Sequence, residues 1–434
     1  MRVSFILVFT LITSVFATQY LNEVPVKVNN NILYWEKSEA YRDHHPMFVR
    51  EKILEITRFQ NPQVLECFPQ ELYNNQGADS SLMVLLYSRG WKQAQKTPVL
   101  LIHGAGDDAF RAWVHPRSMT TPKSIPSDKK GFMQRLSQKG HPVFAINFSH
   151  NHGCNYLQAE QIRNAIHIIK QKTQRTKVNV IAHSKGNCAA SIYMSDLGEV
   201  NSTYKSFLTK YQNDIGHYVQ IGAANKGIDL VFRYYMGNVT ALANNTSSPI
   251  CFYQGLVYGS WAKLYELDIY AQNPGKYSGN YFPGQSQLLY NLVDDGLDFS
   301  VFSYTPVDFN LTMKACYYGG TTAFVASYGI QHAIKEGHNT IGKLNDKGLD
   351  PGINVINVYG THSTLDEIDL GWIKIPIGVQ DYPSDGVLYK YSASYTEGLT
   401  KRGAKLVGQR GFDKNHLQIA YDPQILEWIV SLWY

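Results

Sequence analysis

The clearest chemical signal in the sequence is a serine set between small residues, in Ala182-His-Ser184-Lys-Gly186. An apolar run at 178–181 precedes it, and a helix-forming stretch follows it. A sharp turn from a strand into a helix lifts a serine hydroxyl above a sheet, and its tight backbone needs small residues two positions before and after the serine. Alanine takes the first position of the usual G-x-S-x-G pattern. We interpret Ser184 as a nucleophile.

A second signal, Leu100-Leu-Ile-His-Gly-Ala-Gly106, comes one strand-helix-strand passage earlier in the chain. Its glycines let backbone N–H groups approach a tetrahedral oxyanion without interference from side chains. We predict that the N–H groups of Ala105 and of Lys185, the residue after the serine, form an oxyanion hole. The alternative interpretation of the segment is a plain glycine-rich turn.

Strands and helices that would position these groups alternate along the chain. Short apolar runs lie at 98–102, 142–147, 178–181, 218–222, 353–359 and 404–408. Runs of this length, apolar on both faces, are typical of strands in a covered parallel sheet. Helical patterns occur at 156–171 and 425–433. The alternation predicts an α/β fold with a doubly wound, mostly parallel sheet.

Residues 230–347 interrupt this alternation and are rich in Tyr, Phe, Gly and Asn. We predict that they form a cap, or lid, over the edge of the sheet that carries the site. The alternative is that the segment is simply more core.

His103-Gly-Ala-Gly106 and the serine segment together resemble the lipase branch of the α/β-hydrolase superfamily. They are similar to class 2 bacterial-type lipases, whose elbow often reads A-H-S-x-G. The resemblance covers residues 95–230 and 350–434. It implies a Ser-Asp-His triad in that chain order, with the acid after a late strand and the histidine near the C-terminus. It also implies that no metal or organic cofactor is needed.

Residue by residue, the base that the resemblance implies is His416. Asn415-His-Leu417 lies in a loop just after the last predicted strand and just before the last helix. There His416 would take the Ser184 proton and return it to the leaving group. A plain surface histidine is the alternative. The remaining candidates fit less well by position: His103, His183, His332, His338 and His362.

For the acid, the segment Ser384-Asp-Gly-Val387, followed by Tyr391-Ser-Ala393, resembles the acid loop of the family. Asp385 would hold the imidazole in the useful tautomer and stabilise its charged form. Three other carboxylates lie in the same loop and compete for this role: Asp366, Asp369 and Asp381.

The first 17 residues have the pattern of a secretory signal peptide. Met1-Arg2 is a short basic start, residues 3–16 are mostly apolar, and Val15-Phe16-Ala17 offers a cleavage site. A membrane anchor is the alternative, but the run is shorter than the roughly 20 apolar residues that span a bilayer. We expect a secreted, extracellular protein whose residues 18–434 form the α/β-hydrolase domain, without a transmembrane segment.

Export is compatible with the cysteines and the glycosylation sequons. An odd number of cysteines, five, leaves at least one thiol without an internal partner. We expect Cys251 to pair with Cys316, and with less support Cys67 with Cys154, while Cys188 stays a buried free thiol. Sequons occur at Asn147, Asn201, Asn238, Asn244, Asn245 and Asn310.

These features predict hydrolysis of a lipid-like carboxylic ester through an acyl-enzyme, with transient contact to a lipid interface. A net charge of +5 gives no reason to expect a nucleic acid partner. The alternatives within enzymes are an extracellular polyester depolymerase, a peptidase, a thioesterase and an acyltransferase. A hydrolase-fold binding protein without catalysis is the alternative from another class.

Overall fold

The computed structural model describes residues 20–53, 57–114, 130–197, 210–229, 232, 262–264, 282–297, 314–315, 317–321, 325–369, 371–380 and 382–434. A nine-stranded sheet forms its centre, in the order β1-β2-β5-β7-β6-β8-β9-β13-β16. Its strands are β1 (Lys27–Asn30), β2 (Trp35–Arg42), β5 (Leu82–Ser88), β6 (Val99–Ile102), β7 (Val143–Phe148), β8 (Val178–His183), β9 (Ile215–Ile221), β13 (Asn354–Gly360) and β16 (Lys405–Phe412).

The six strands from β7 to β16 are all parallel. They coincide with the six apolar runs that we predicted to be strands, and the predicted fold class is confirmed. Our prediction missed the antiparallel edge formed by β1, β2 and β5. The signal was present in β5, because all seven of its residues are buried and six of them are apolar or aromatic.

Short strands form small sheets outside the centre, and helices connect the main strands. The short strands are β3 (Arg50–Lys52), β4 (Gly77–Asp79), β10 (Ala262–Leu264), β11 (Gly320–Thr321), β12 (Val325–Ser327), β14 (Asp366–Asp369) and β15 (Lys374–Ile377). The helices are α1 (Pro62–Cys67), α2 (Ala109–Trp113), α3 (Phe132–Gln138), α4 (Asn155–Thr173), α5 (Gly186–Met194), α6 (Pro283–Ser286), α7 (Gly329–Glu336), α8 (Thr340–Lys347), α9 (Lys390–Ala393), α10 (Glu397–Thr400) and α11 (Pro423–Ser431). Gln70–Gln76 and Gln418–Ala420 are 3₁₀ helices.

Helices cover both faces of the sheet, which explains the apolar character of its strands. Leu100 and Ile102 of β6 belong to the cluster formed with α4 and α5. Val99 and Leu101 belong to the cluster formed with α2, α3 and α11. Since successive side chains of a strand point to opposite faces, a strand covered on both sides reads as a continuous apolar run.

The segment predicted to be a cap, 230–347, is described only in part. Its helix α6 packs on the core, where the N–H of Gly284 donates to the carbonyl of His152 at 3.1 Å. Asn155 Nδ2 donates to the carbonyl of Gly284 at 2.8 Å. A β-bridge joins Leu289 to Ile228, just beyond β9. These contacts attach the described part of the segment to the carboxyl edge of the sheet. Its role as a cap stays a prediction.

The described cysteines correct one of our predictions. Cys67 and Cys154 are both buried free thiols, so the predicted Cys67–Cys154 disulfide is wrong. The two side chains lie in the clusters on opposite faces of the sheet. Cys188 is a buried free thiol, as predicted. Cys251 and Cys316 lie outside the described residues.

Asn147 does not suit glycosylation in the folded protein. It lies within β7, is fully buried, and its Oδ1 accepts the N–H of Ala109 at 2.7 Å. The other five sequons lie outside the described residues. In the part of the chain that is described, every helix is too short or too polar to cross a membrane.

Candidate active site

Ser184 lies in a sharp turn between β8 and α5, in a strained backbone conformation. Its φ angle is 52°, in the left-handed region that non-glycine residues rarely adopt. The Ser184 N–H donates to the carbonyl of Ile221 on the neighbouring strand β9 at 2.9 Å. A Cβ at Gly186 would lie 2.5 Å from the carbonyl oxygen of His103, so a side chain there would collide with the backbone. The small residue that we singled out is thus required by the turn.

The loop that follows β6 lies directly against this turn. Ile102 and Ala182 are paired in the parallel register of β6 and β8, so the two strands end side by side. A Cβ at Gly104 would lie 2.9 Å from Ser184 Cβ. The backbone N–H groups of Ala105 and Lys185 donate to no acceptor among the described residues. These two donors therefore stay available to a ligand beside the serine.

His103 stabilises this loop from within. Burial lowers the pKa of His103 to about 4, so its ring is neutral near neutral pH. Its Nδ1 lies 2.9 Å from the carbonyl oxygen of Gly104, which can only accept a hydrogen bond. The N–H of Phe148 donates to Nε2 at 3.4 Å. The neutral ring thus ties the loop to the end of β7.

Asp385 and His416 form a buried pair on the loops that follow β13 and β16. His416 Nδ1 lies 2.7 Å from Asp385 Oδ2, and the His416 N–H donates to the Asp385 carbonyl at 2.7 Å. Asp385 Oδ1 accepts the N–H groups of Val387 at 3.0 Å and Leu388 at 2.7 Å. With Oδ1 occupied by backbone donors, Oδ2 is directed at the imidazole. The pair is therefore fixed through both side chain and backbone.

Two contacts bring His416 to the serine turn. The His416 ring packs against Gly222, where an added Cβ would lie 2.9 Å from His416 Cε1. Gly222 directly follows Ile221, whose carbonyl accepts the Ser184 N–H. The ring centroids of His183 and His416 are 4.9 Å apart with the rings tilted by 41°, and His183 Nε2 lies 2.9 Å from the His416 carbonyl oxygen. His416 Nε2 is buried and has no hydrogen-bond partner among the described residues. His416 Nε2 therefore remains available as a proton acceptor at the carboxyl edge of the sheet.

Two of the competing aspartates lie on a different element. Asp366 and Asp369 are in β14, which pairs with β15 in a separate two-stranded hairpin. Asp381 lies outside the described residues. His362 makes an exposed contact with Asp413, in which Nδ1 and Oδ1 are 3.5 Å apart. Within the described part, no group of three or more His, Cys, Asp or Glu is placed to hold a metal ion.

One polar cluster beside the serine turn was missed by our sequence interpretation. The side chain of Lys185 is buried and donates to Gln158 Oε1 on α4 at 2.5 Å. Burial lowers the pKa of Lys185 to about 8. Burial also raises the pKa of the neighbouring Glu51 to about 7. A lysine directly after the serine was visible in the sequence, but its burial was not.

Comparison with known proteins agrees with these features. The chain matches the family described as Lipase (class 2) over residues 96–296. This span contains the loop after β6 and the serine turn, whereas Asp385 and His416 lie beyond it. No curated protein matches the chain.

Several solved structures are similar at low identity. The product of gene lin2722 from Listeria innocua is 13% identical, with 78% of this chain and 94% of that chain covered and a TM-score of 0.33. The mature Bacillus licheniformis lipase BlEst2 is 11% identical, with coverages of 78% and 92% and a TM-score of 0.35. The Bacillus subtilis naproxen esterase is 9% identical, with coverages of 81% and 88% and a TM-score of 0.35.

Because these TM-scores are low, the fold is assigned from the order and direction of the strands in the central sheet. Its order, with one antiparallel edge, parallel strands from β7 onward and a serine turn after β8, agrees with the family match. The chain has the α/β-hydrolase fold and is similar to the class 2 lipases over residues 96–296.

Proposed function

We propose that Ser184, His416 and Asp385 act as a catalytic triad in carboxylic ester hydrolysis. The observation that carries this proposal is the His416 imidazole, which Asp385 holds through Nδ1 while the buried Nε2 remains without a partner beside the serine turn. A general base needs this combination of a fixed tautomer and a free nitrogen. Ser184 itself is half-buried, so its hydroxyl can meet a ligand.

In the proposed reaction, Ser184 Oγ attacks the carbonyl carbon of the ester while His416 Nε2 takes the hydroxyl proton. The N–H groups of Ala105 and Lys185 stabilise the negative charge on the carbonyl oxygen. The ester C–O bond then breaks, and the alcohol leaves with the proton from His416. Water, deprotonated by the same nitrogen, attacks the acyl-enzyme and releases the carboxylic acid and free serine.

The finer parts of the proposal are a lipid-like ester substrate and an extracellular location. The aromatic residues of 230–347 and the buried side chains of Phe282, Leu288 and Leu289 support an apolar acyl site. The apolar run at 3–16 supports entry into the secretory pathway. A series of p-nitrophenyl esters of increasing acyl length tests the substrate preference, since an enzyme for lipid-like esters has its maximum of kcat/KM at long acyl chains.

A fluorophosphonate probe tests the central proposal. We expect the probe to label the purified protein at Ser184, because the activated hydroxyl attacks the phosphorus in the same way as an ester carbonyl. Mass spectrometry of the digested protein locates the adduct. A hydrolase-fold binding protein would give no adduct at Ser184, and this result would reject the proposed nucleophile.

Gly104→Ala tests the proposed oxyanion hole. The added Cβ would lie 2.9 Å from Ser184 Cβ and 3.3 Å from the His183 carbonyl oxygen, so the loop must shift and carry the Ala105 N–H with it. Loss of one oxyanion donor lowers kcat by about 10²-fold or more, and we expect a loss of that order. Gly140→Ala, far from the site, is the control for loss of stability alone: its Cβ would meet no atom within 4 Å, but its φ of 86° strains any side chain, so we expect a lower unfolding temperature and unchanged kcat. Unchanged kcat in Gly104→Ala would contradict the assignment of Ala105.

A further inference from the structure

The side chain of Lys185 has an unusual environment for a lysine. It is 2% exposed, and its ammonium donates to the neutral amide oxygen of Gln158 at 2.5 Å. Gln158 Nε2 in turn donates to the carbonyl of His150 at 2.7 Å, which directs the amide oxygen at the lysine. Burying an ammonium against a neutral acceptor is unfavourable compared with leaving it in water. Such an arrangement is concentrated at functional sites.

Helix α6 closes this site from the side of the insertion. A Cβ at Gly284 would lie 2.1 Å from Lys185 Cε and 2.7 Å from Nζ, so only glycine leaves room for the lysine. Gln287 Oε1 accepts the N–H of Asn155 at 2.7 Å and thereby seats the helix on the start of α4. The lysine is thus enclosed between α4 and α6.

Lys185 is also the residue whose backbone N–H is a proposed oxyanion donor. Its ammonium cannot be farther from that N–H than the length of one side chain. A charge that is close to a developing oxyanion and shielded from water acts more strongly than one in solvent. Anchoring on Gln158 holds this charge and the elbow peptide in one geometry.

We propose that Lys185 is a positioning residue whose anchored ammonium fixes the elbow peptide and supplies positive charge to the oxyanion hole. This inference rests on the proposed function of Ser184. It assigns to the lysine side chain a role in the rate of the chemical step rather than in ester binding. The predicted consequence is a loss of kcat with little change in KM when the ammonium is removed.

The pH dependence follows from the charge of this ammonium. Burial lowers the pKa of Lys185 to about 8, so the side chain is charged below that pH and neutral above it. If the charge supports catalysis, kcat falls as the pH rises through about 8. The titratable groups that interact electrostatically with the ammonium are Glu51, His103, His152, Cys154 and Cys188, and Arg111 acts on two of them, His103 and His152.

Only one of these groups titrates near the same pH. Burial raises the pKa of Cys154 to about 11 and that of Cys188 to about 12, and it lowers the pKa of His103 and His152. Burial raises the pKa of Glu51 to about 7, and its carboxylate favours the charged lysine. Removing the Glu51 charge therefore moves the deprotonation of Lys185 to lower pH.

The experiment compares wild type, Lys185→Met, Glu51→Gln and the control Lys401→Met, a surface lysine beside Asp346. kcat and KM for a p-nitrophenyl ester are measured from pH 6 to 10, with thermal unfolding as a check of the fold. We expect Lys185→Met to lower kcat about 10- to 100-fold with KM within about threefold, and to lose the decline near pH 8. Glu51→Gln moves that decline to lower pH, and Lys401→Met behaves as wild type.

Wild-type kcat and an unchanged alkaline decline in Lys185→Met would overturn the inference. If Lys185→Met does not fold, Glu51→Gln provides the test. A decline of kcat at the same pH as in wild type would then overturn the inference. Fluorophosphonate labelling separates these failures from failure of the proposed function. A wild-type protein that is not labelled rejects Ser184 as the nucleophile, whereas labelling of both proteins with equal kcat rejects only the role of Lys185.

Discussion

Replacing Ser184 with alanine is expected to lower kcat for ester hydrolysis by about 10⁶-fold, the loss measured for a comparable triad serine. The variant lacks the oxygen that would attack the ester, so the acyl-enzyme cannot form. The fold should remain intact, because Ser184 is held through its backbone: its N–H donates to the carbonyl of Ile221, and its carbonyl accepts from Asn187. Steady-state hydrolysis and thermal unfolding measure the two effects separately.

Ser431→Ala is a matched control for the serine substitution. Ser431 ends α11, is exposed, and bonds only locally to the Trp428 carbonyl at 2.7 Å. We expect its kcat to equal that of wild type. Retention of more than roughly a tenth of the activity in Ser184→Ala would reject the nucleophile, since a triad serine contributes far more than that.

Asp385→Asn is expected to lower kcat by about 10⁴-fold. The asparagine oxygen can still accept the N–H groups of Val387 and Leu388, so its NH₂ group turns toward His416 Nδ1. An NH₂ group can only donate, and this forces the imidazole proton onto Nε2. The base then faces Ser184 with a proton already in place and cannot accept another. The measurement is kcat for the same ester, compared with the unfolding temperature.

Asn substitutions at Asp366, Asp369 and Asp381 provide the controls for the acid. Each removes one negative charge from the same stretch of chain between β13 and β16. We expect these three variants to keep kcat within about tenfold of wild type. A large loss in one of them, together with little loss in Asp385→Asn, would show that the acid was wrongly assigned.

The covered strands and the site loops were predictable because their signals are local. Each parallel strand buries both faces and therefore appears as an apolar run, as in β6 and β8. Chain order and the resemblance ranked His416 and Asp385 first, with three other aspartates left open, and the structure places the side chains of these two residues 2.7 Å apart. The antiparallel edge was missed because β1 and β2 are mostly polar, although β5 carried the same signal as the parallel strands.

Long-range polar contacts could not be predicted in this way. Glu51, Gln158 and Lys185 are separated by up to 134 positions in the sequence, between residues 51 and 185, and each is of a type that usually lies in water. Their burial depends on how β3, α4 and α5 are packed together. The Cys67–Cys154 pairing failed for a related reason, since the sequence does not say which face of the sheet a cysteine occupies.

The position of β9 beside β13 has a consequence for how this protein can change over evolutionary time. The two strands are hydrogen-bonded neighbours, although β9 ends at Ile221 and β13 begins at Asn354. The entropy needed to close a loop rises only with the logarithm of its length, so the chain between them can lengthen or shorten at small cost to the sheet. Ser184 lies before this stretch, and Asp385 and His416 lie after it. New substrate preferences can therefore arise in the intervening residues by insertion and exchange, while the three residues of the proposed triad keep their places.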